Sequence, residues 1–333
     1  MQLDPADITR AAEALATLRD EVTKAVVGQR EVVDQTLIAL VASGHLLIEG
    51  VPGLGKTLLA RALAKSLALD CARIQFTPDL MPSDITGHTV LDANPTGSLG
   101  STGIGALRVR RGPVFTHLLI ADEINRAPAK TQSALLEVMQ EYQVTIEGQT
   151  LPLAKPFMVM ATQNPLETEG TYPLPEAQLD RFLFKVDVGY PSLKDEAAVV
   201  ALATLQQAGD QLPLDAVQPR LDARAVLSLQ RMAAFVRVDE RVIDYAVRIA
   251  RATRDWSGLV NGAGSRAAIA LVRAARAAAL LDARDFVTPD DIKRHALPVL
   301  RHRVLLSPDA QLEGRRVDAL LGDLLGSVEA PRL

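Results

Sequence analysis

Cysteine and aromatic residues are scarce in this sequence of 333 residues. Cys71 is the single cysteine, so the chain cannot form an internal disulfide and has no CxxC pair for zinc binding or thiol exchange. Aromatic residues make up only 4% of the chain, so the core has to be built mainly from Ala, Val, Leu and Ile. The first scarcity predicts a reducing compartment. The second favours helices packed on parallel strands over an aromatic-rich β-sandwich.

Long hydrophobic runs and a strong net charge are also missing. No stretch reaches the roughly 18 consecutive apolar residues of a membrane-spanning helix, and the acidic, amphipathic N-terminal segment does not resemble a signal peptide. We therefore expect a cytoplasmic protein without a membrane span. A formal charge of −4 argues against nucleic acid as a general partner, and 48% hydrophobic residues exclude disorder for most of the chain.

Short apolar runs alternate with helical or loop-rich segments in the first part of the chain. This alternation is typical of a parallel sheet covered by helices on both faces. The five runs are 45–49, 73–76, 117–121, 157–161 and 182–188.

Helical spacing replaces the strand-like runs after Pro191. Within residues 241–256 the apolar positions recur at intervals of three and four, as on one face of a helix. Between residues 190 and 222 the pattern is interrupted by Pro191, Gly209, Pro213 and Pro219. The sequence therefore predicts an α/β core over residues 1–190, a linker over 191–221 and a helical domain over 222–333.

Residues 50–57 read GVPGLGKT and match the phosphate-loop pattern GxxxxGK[ST]. The pattern follows an apolar strand and opens a helix, so backbone N–H groups and the helix N-terminus can converge on phosphates. We expect Lys56 to reach the β- and γ-phosphates and Thr57 to ligate Mg²⁺. The predicted nucleotide-binding residues of this loop are Val51, Pro52, Gly53, Leu54, Gly55, Lys56, Thr57 and Leu58.

Polar residues end two further predicted strands. Asp122 and Glu123 follow a buried run, at the edge of an α/β sheet where ligands bind. Asp122 is predicted to hold Mg²⁺ through water, and Glu123 to polarise the attacking water. Asn164, in ATQNP, can contact the γ-phosphate or that water. The alternatives are a solvated strand end for the acidic pair and a turn-forming Asn-Pro for Asn164.

At this point the sequence resembles the MoxR branch of the AAA+ ATPases. The resemblance covers nearly the whole chain and is densest in RIQFTPDLMPSDITG, ADEINRAPAKTQSALLEVMQE and ATQNPLETEGTYPLPEAQLDRFLFKV. It implies a P-loop NTPase core, with a five-stranded parallel sheet between helices, and a C-terminal all-helical lid. It also implies two inserts near a central pore, at about 88–112 and as a hairpin at about 143–156.

The resemblance implies roles for further residues. The adenine-contacting segment corresponds to Val27, Gly28 and Gln29. Asn164 matches the sensor 1 position and Arg266 the sensor 2 arginine of the lid.

Arg181 matches the arginine finger that acts on a neighbouring subunit's nucleotide. A surface salt bridge to Glu176 or Asp180 is the alternative. Arg126 is a further candidate for the subunit interface, and its alternative is a helix-cap partner.

A small basic cluster, Arg108, Arg110 and Arg111, lies in the first insert. A solvated hairpin face is the simpler interpretation, and a contact to nucleic acid or an acidic substrate is the alternative. The insert has no interleaved aromatic residues on which bases could stack.

The resemblance implies a protein that binds ATP and ADP with Mg²⁺ and hydrolyses ATP in a homo-hexameric ring. The expected work is chaperone-like remodelling of a client protein complex, together with a partner that has a von Willebrand factor A domain. Two alternatives remain from the sequence. One is a subunit of a nucleic-acid motor, and the other is a scaffold that binds ATP and assembles without hydrolysing it.

Overall fold

A computed structural model describes residues 3–51, 53–91, 107–165, 170–204 and 213–332. Pro52 of the predicted phosphate loop lies outside the described residues, as do residues 92–106 of the first insert.

The chain alternates strands and helices up to β9 and is mainly helical after it. The strands are β1 Leu46–Glu49, β2 Cys71–Gln75, β3 Gly87–Leu91, β4 Leu107–Arg111, β5 Leu118–Asp122, β6 Gln143–Ile146, β7 Gln149–Pro152, β8 Met158–Gln163, β9 Phe184–Asp187, β10 Leu259–Asn261 and β11 Leu305–Leu306. The helices are α1 Pro5–Thr23, α2 Arg30–Val41, α3 Lys56–Ser66, α4 Pro82–Thr86, α5 Ala129–Glu141, α6 Glu176–Leu179, α7 Leu193–Thr204, α8 Ala223–Phe235, α9 Glu240–Ala252, α10 Ser265–Leu281, α11 Pro289–Arg294, α12 Ala296–Leu300, α13 Pro308–Leu312 and α14 Val317–Ser327.

Five strands form one parallel sheet in the order β2-β5-β8-β1-β9. Leu46 lies opposite Met160 and Phe184, and Gln75 lies opposite Asp122. All five carboxyl ends therefore meet at one edge of the sheet. The prediction of a five-stranded parallel sheet between helices is confirmed.

Both faces of this sheet are covered, which explains why its strands read as continuous apolar runs. Neighbouring residues of a strand point to opposite faces. Ile48 and Ile120 pack into one apolar cluster, whereas Leu47 and Leu119 pack into another. The first cluster also takes side chains from α1, α2 and α10, so the N-terminal helices pack against the helical C-terminal region.

The C-terminal region is built largely from helices, as predicted. In α9 the residues with helical spacing are the buried ones: Val242, Tyr245, Ala246, Ile249 and Ala250. Thr288 and Asp291 form a capping box at the start of α11. The sequence pattern does not predict the short antiparallel pair β10–β11, because its strands are only two or three residues long.

Two strand pairs outside the five-stranded sheet are antiparallel hairpins. In the first, β3 pairs with β4, which carries Arg108, Arg110 and Arg111. In the second, β6 pairs with β7 around Glu147 and Gly148. Both of these turn residues have positive φ, 47° and 83°, which is the backbone shape of a tight two-residue hairpin turn.

Among the residues that the structure describes, no helix has the combination of length and hydropathy that crossing a membrane requires.

Buried His45 links three elements at the amino edge of the sheet. Its Nε2 donates to the Met139 carbonyl oxygen at 3.1 Å, and its Nδ1 accepts from the Val159 amide at 3.0 Å. Burial and, to a smaller extent, the charge of Arg273 lower the pKa of His45 from 6.5 to about 4. A proton on Nδ1 would face the Val159 amide, which is itself a donor. The folded state therefore favours the neutral ring.

This linkage predicts acid sensitivity. Between pH 6.5 and about 4 the unfolded chain binds a proton at His45 that the folded chain does not, so the free energy of unfolding falls as the pH falls. The loss is about 2 kcal/mol by pH 5, since one pKa unit corresponds to about 1.4 kcal/mol. Urea unfolding at pH 8 and pH 5 measures it.

The control is His45→Gln, which removes the titrating ring and leaves a neutral donor and acceptor. His295 and His302, whose pKa values are also lowered, titrate in both proteins and cancel from the comparison. Stability should change less with pH in His45→Gln than in the wild type. Equal pH dependence in the two proteins would contradict the assignment.

Candidate nucleotide-binding site

The predicted phosphate loop connects β1 to α3, which begins at Lys56. Gly53 and Gly55 have φ values of +87° and +76°, a left-handed conformation that glycine adopts without strain. Lys56 Nζ donates to the carbonyl oxygens of Gly50 and Val51, so the amine lies within the loop. Leu54 and Leu58 pack against the core and anchor the loop on both sides of the lysine.

Lys56 is surrounded by carboxylates. Burial is the largest influence and lowers the pKa of Lys56, while the charges of Asp122, Glu123 and Glu49 act in the opposite direction. The ammonium group therefore sits in a partly dry site close to three carboxylates. A triphosphate bound here would bring further negative charge to the same cation.

Asp122 ends β5 and is buried. Its Oδ2 lies 3.5 Å from Thr57 Oγ1 and 2.6 Å from Arg73 Nε, and its Oδ1 accepts from Thr162 Oγ1 at 3.1 Å. Thr57 and Asp122, 65 residues apart in sequence, are thus brought into contact at one edge of the sheet.

The chemistry of these donors fits Mg²⁺. The ion prefers oxygen ligands and is usually held by one or two carboxylates together with water and substrate phosphates. Thr57 supplies a hydroxyl and Asp122 a carboxylate, and Mg²⁺ would compete with Arg73 for Oδ2. Within the described ranges there is no group of three or more His, Cys, Asp or Glu that could hold a metal ion.

Glu123 has a left-handed backbone, with φ of +55°, which is uncommon for a residue with a side chain. Its amide donates to Thr162 Oγ1 at 2.9 Å. Its Oε2 accepts from Gln75 Nε2 at 2.7 Å and from Arg126 Nη1 at 3.1 Å. Two donors therefore hold the carboxylate that is predicted to polarise water. One of them is Arg126, for which the sequence left open a role at the subunit interface or as a helix-cap partner.

The predicted adenine segment also reaches the loop. Gln29 Nε2 donates to the Leu54 carbonyl oxygen at 3.0 Å. Gly28 has φ of +75°, and a Cβ at this position would come within 2.6 Å of Asp195 Cβ at the start of α7. The start of α7 therefore lies directly against Gly28, the residue that follows Val27.

Asn164 lies one residue beyond β8. Its neighbour Gln163 accepts from the Gly50 amide at 3.4 Å, which joins the end of β8 to the start of the phosphate loop. Asn164 therefore follows a residue that is bonded directly to the loop.

Two predicted site residues lie elsewhere, near the amino edge of the sheet. Arg181 is half-buried, and its Nη1 donates to the Leu136 carbonyl oxygen at 2.6 Å. Arg266 Nη1 lies 3.4 Å from Asp180 Oδ2. Arg266 is thus paired with Asp180, the residue before Arg181. Neither arginine is among the described residues that bond to Lys56, Thr57 or Asp122.

Three residues of the site were not predicted: Arg73, Gln75 and Thr162. Arg73 and Gln75 alternate along β2 and face the acidic pair because β2 pairs with β5. Their polar side chains alternate with apolar Ile74, a pattern from which the sequence could have predicted a polar face on this strand. Thr162 is buried in an apolar strand and gave no signal beyond its place before Asn164.

The comparisons with known proteins agree with this geometry. Residues 45–184 match the family described as "ATPase family associated with various cellular activities (AAA)", and residues 251–324 match the AAA lid domain. The chaperone MoxR1 of Mycobacterium tuberculosis is 42% identical over 322 residues, covering 94% of this chain and 81% of that protein. The protein MoxR of Methylorubrum extorquens is 31% identical over 357 residues and covers 99% of both chains. This chain belongs to the MoxR family of AAA+ ATPases.

A solved structure extends the similarity to three dimensions. A protein from Cytophaga hutchinsonii, described as a candidate ATPase, superimposes on this MoxR-family chain with a TM-score of 0.87 at 40% identity. The match covers 98% of this chain and 97% of that one. The family membership predicted from the sequence is confirmed, while the roles of single residues in this MoxR-family ATPase stay predictions.

Thr162 generates a test of the site. Its hydroxyl donates to Asp122 Oδ1 and accepts from the Glu123 amide, so Thr162→Val removes this partner from a buried carboxylate oxygen and from a part-buried amide. We expect the free energy of unfolding to fall by about 1–3 kcal/mol. The Mg²⁺ concentration required for ATP turnover should rise as well. Urea unfolding and turnover against Mg²⁺ measure the two effects.

Thr162→Ser is the matched control, because it keeps the hydroxyl and loses only a methyl group. It should retain most of the stability and the Mg²⁺ dependence of the wild type. If Val and Ser at this position behave alike, the hydroxyl does not organise the acidic pair.

Proposed function

We propose that this protein hydrolyses ATP in an oligomeric ring, with Mg²⁺, and uses the resulting motion to remodel partner proteins in the cytoplasm. The observation that carries the proposal is the convergence of Lys56, Thr57, Asp122 and Glu123 at one edge of the sheet, with Arg181 at the other. Membership of the MoxR family supports ATP as the nucleotide.

Each residue at the carboxyl edge has a defined task in this proposal. The backbone of the phosphate loop and Lys56 bind the β- and γ-phosphates, and Thr57 and Asp122 hold Mg²⁺, which neutralises phosphate charge when bound. Glu123 orients and polarises the water that attacks the γ-phosphorus as its bond to the ADP oxygen breaks. Asn164 holds the γ-phosphate or this water in place.

The distance between Arg181 and the phosphate loop of its own subunit supports a site shared between subunits. The Leu183 amide donates to the His45 carbonyl oxygen at 2.9 Å, which puts Arg181 beyond the amino end of β1. Lys56 lies beyond the carboxyl end of the same strand. The four residues of β1, at about 3.3 Å each, separate the two edges by roughly 13 Å. We therefore infer that Arg181 serves the nucleotide of a neighbouring copy.

Arg266 belongs with Arg181 in this proposal. Its contact with Asp180 supports a role at the neighbour's nucleotide rather than at its own phosphate loop. The two arginines line one cleft of about 220 Å³ with Arg273 and Arg303, in which Asp180 is the single lining acid. Because Arg303 is buried and paired with Asp180, a highly charged anion in this cleft would meet Arg181 and Arg266.

An uncovered helix supports assembly. None of the twelve residues of α7 is buried, although most of them are apolar. Leu193 is 88% exposed, and Val199 and Val200 are also exposed. Exposed apolar patches typically mark contacts with other chains, and α7 adjoins the predicted adenine segment. A ring contact near the nucleotide would cover this helix.

Protein remodelling is proposed from the relatives. A relative that is 42% identical to this chain over 322 residues is named a chaperone. We propose a client protein complex, recognised with the help of a partner that has a von Willebrand factor A domain. The hairpins β3–β4 and β6–β7 would move with the nucleotide state and pass that motion on.

The test is ATP turnover per subunit, measured over a range of protein concentrations for the wild type and Arg181→Ala. Turnover by the wild type should rise with concentration as subunits assemble. Arg181→Ala should bind ATP normally but turn over slower by a factor on the order of 10³, the effect of trans arginines in related GTPases.

The matched control is Arg248→Ala, which removes an exposed arginine paired with Asp244 on α9. It should behave like the wild type at every concentration. Turnover that is independent of concentration and unaffected by Arg181→Ala would refute a shared site. Glu123→Gln with undiminished turnover would refute the assignment of the water-polarising carboxylate.

A further inference from the structure

Asp180, the residue before Arg181, is the meeting point of two arginines of the helical region. Arg303 Nε donates to Asp180 Oδ1 at 2.7 Å, and Arg266 Nη1 lies 3.4 Å from Oδ2. Both arginines come from the C-terminal helical region, whereas Asp180 lies in the core between α6 and β9. A carboxylate next to the proposed trans arginine therefore joins the two parts of the chain.

The guanidinium of Arg303 is buried, with 3% of its side chain exposed. Besides the Asp180 carboxylate, it donates to the carbonyl oxygens of Asp180 at 3.2 Å, Phe182 at 2.6 Å and Leu183 at 3.3 Å. These acceptors lie on both sides of Arg181. One side chain thus holds the backbone that carries Arg181, while Arg181 itself reaches Leu136.

The two residues before Arg303 hold the same segment. His302 is buried, and its Nε2 lies 3.1 Å from the Phe182 carbonyl oxygen. Arg301 pairs with Asp187, at the far end of β9, at 2.7 Å. Three consecutive residues of the helical region therefore contact the segment from Asp180 to Asp187 at both ends.

The far end of β9 is in turn attached to the strand that leads into the phosphate loop. Lys185 Nζ pairs with Glu49 Oε2 at 2.6 Å, and the Val188 amide donates to the Glu49 carbonyl oxygen at 2.8 Å. The loop that carries Arg181 is thus fixed relative to the sheet at one end and to the helical region at the other.

We propose that Asp180 and Arg303 form a positioning pair through which the helical region sets Arg181 for the nucleotide of the neighbouring subunit. This inference rests on the proposed function, because it needs Arg181 to act in trans. Neither member of the pair touches the nucleotide. Since a buried guanidinium without its carboxylate is costly, loss of the pair displaces the backbone around Arg181 instead of leaving it in place.

The first test is steady-state ATP turnover by Asp180→Asn and Arg303→Lys. The first variant removes the carboxylate charge, and the second keeps a cation that cannot reach all of these oxygens. In assembled protein we expect kcat to fall on the order of 10²-fold, the effect of misplacing a catalytic group by about 1 Å. KM and the affinity for a fluorescent ATP analogue should stay within about twofold of the wild type, because each subunit's own phosphate loop is intact.

Asp291→Asn is the matched control. Asp291 is equally part of a buried pair, with Arg284 at 2.7 Å, but it lies in α11 away from Arg181. It should lower thermal stability as the positioning variants do and leave kcat unchanged. If Asp291→Asn lowers kcat as much as they do, the loss reflects general weakening of the helical region and the proposal is wrong.

The decisive test mixes subunits. Asp180→Asn keeps an intact ATP site and displaces the Arg181 that acts on the neighbouring subunit. Lys56→Ala inactivates the ATP site and keeps Arg181 in place. Where the two variants meet in one ring, an intact site faces an intact Arg181. Turnover of the mixture should therefore rise well above that of either variant alone. Arg303→Lys mixed with Lys56→Ala should give the same result, which covers the case of an unstable Asp180→Asn.

Mixing Arg181→Ala with Lys56→Ala distinguishes the trans role of Arg181 from its positioning by Asp180 and Arg303. If that mixture recovers turnover and the Asp180 and Arg303 mixtures do not, Arg181 acts in trans but the pair does not position it. If none of the mixtures recovers, the trans role of Arg181 is itself wrong. Full activity of Asp180→Asn and Arg303→Lys as single variants would also overturn the positioning role.

Discussion

The parallel register of the five strands is the constraint on which the rest of the molecule depends. Because every strand runs in the same direction, residues that follow β1, β5 and β8 are delivered to one edge. Thr57 and Asp122 meet there, and the Thr162 hydroxyl bonds both Asp122 and the Glu123 amide. No local propensity could bring these groups together, since they come from the start of α3, the end of β5 and the end of β8.

The same register keeps the charges apart. Acids and the phosphate-loop lysine gather at the carboxyl edge, while Arg181, Arg266 and Arg303 gather near the amino edge around Asp180. Under the proposed function these groups are the two halves of one phosphoryl-transfer site, and halves on opposite edges of the sheet come together between copies. In this view the ring is a consequence of strand direction, and the exposed apolar helix α7 offers surface that assembly would cover.

The carboxyl edge could be predicted well from the sequence and the amino edge poorly. The phosphate loop is contiguous, so its residues, its glycines and the helix that follows could be read directly, and Asp122 followed from a buried run ending in acids. The contacts of Arg303 could not, because they join residues about 120 positions apart and consist largely of bonds to carbonyl oxygens, which every residue has. Arg126 shows the intermediate case: its position suggested a role, but its bond to Glu123 required the structure.

By itself the sequence determined the α/β core, the mainly helical C-terminal region, the nucleotide loop and the family, because each of these depends on local patterns of apolar, glycine and acidic residues. Only the tertiary structure decided which donors hold Glu123, which edge Arg266 faces and what fixes the backbone around Arg181. These are questions of distance between segments remote in sequence. Their answers depend on strand order and on the packing of the helical region against β9, which no local pattern encodes.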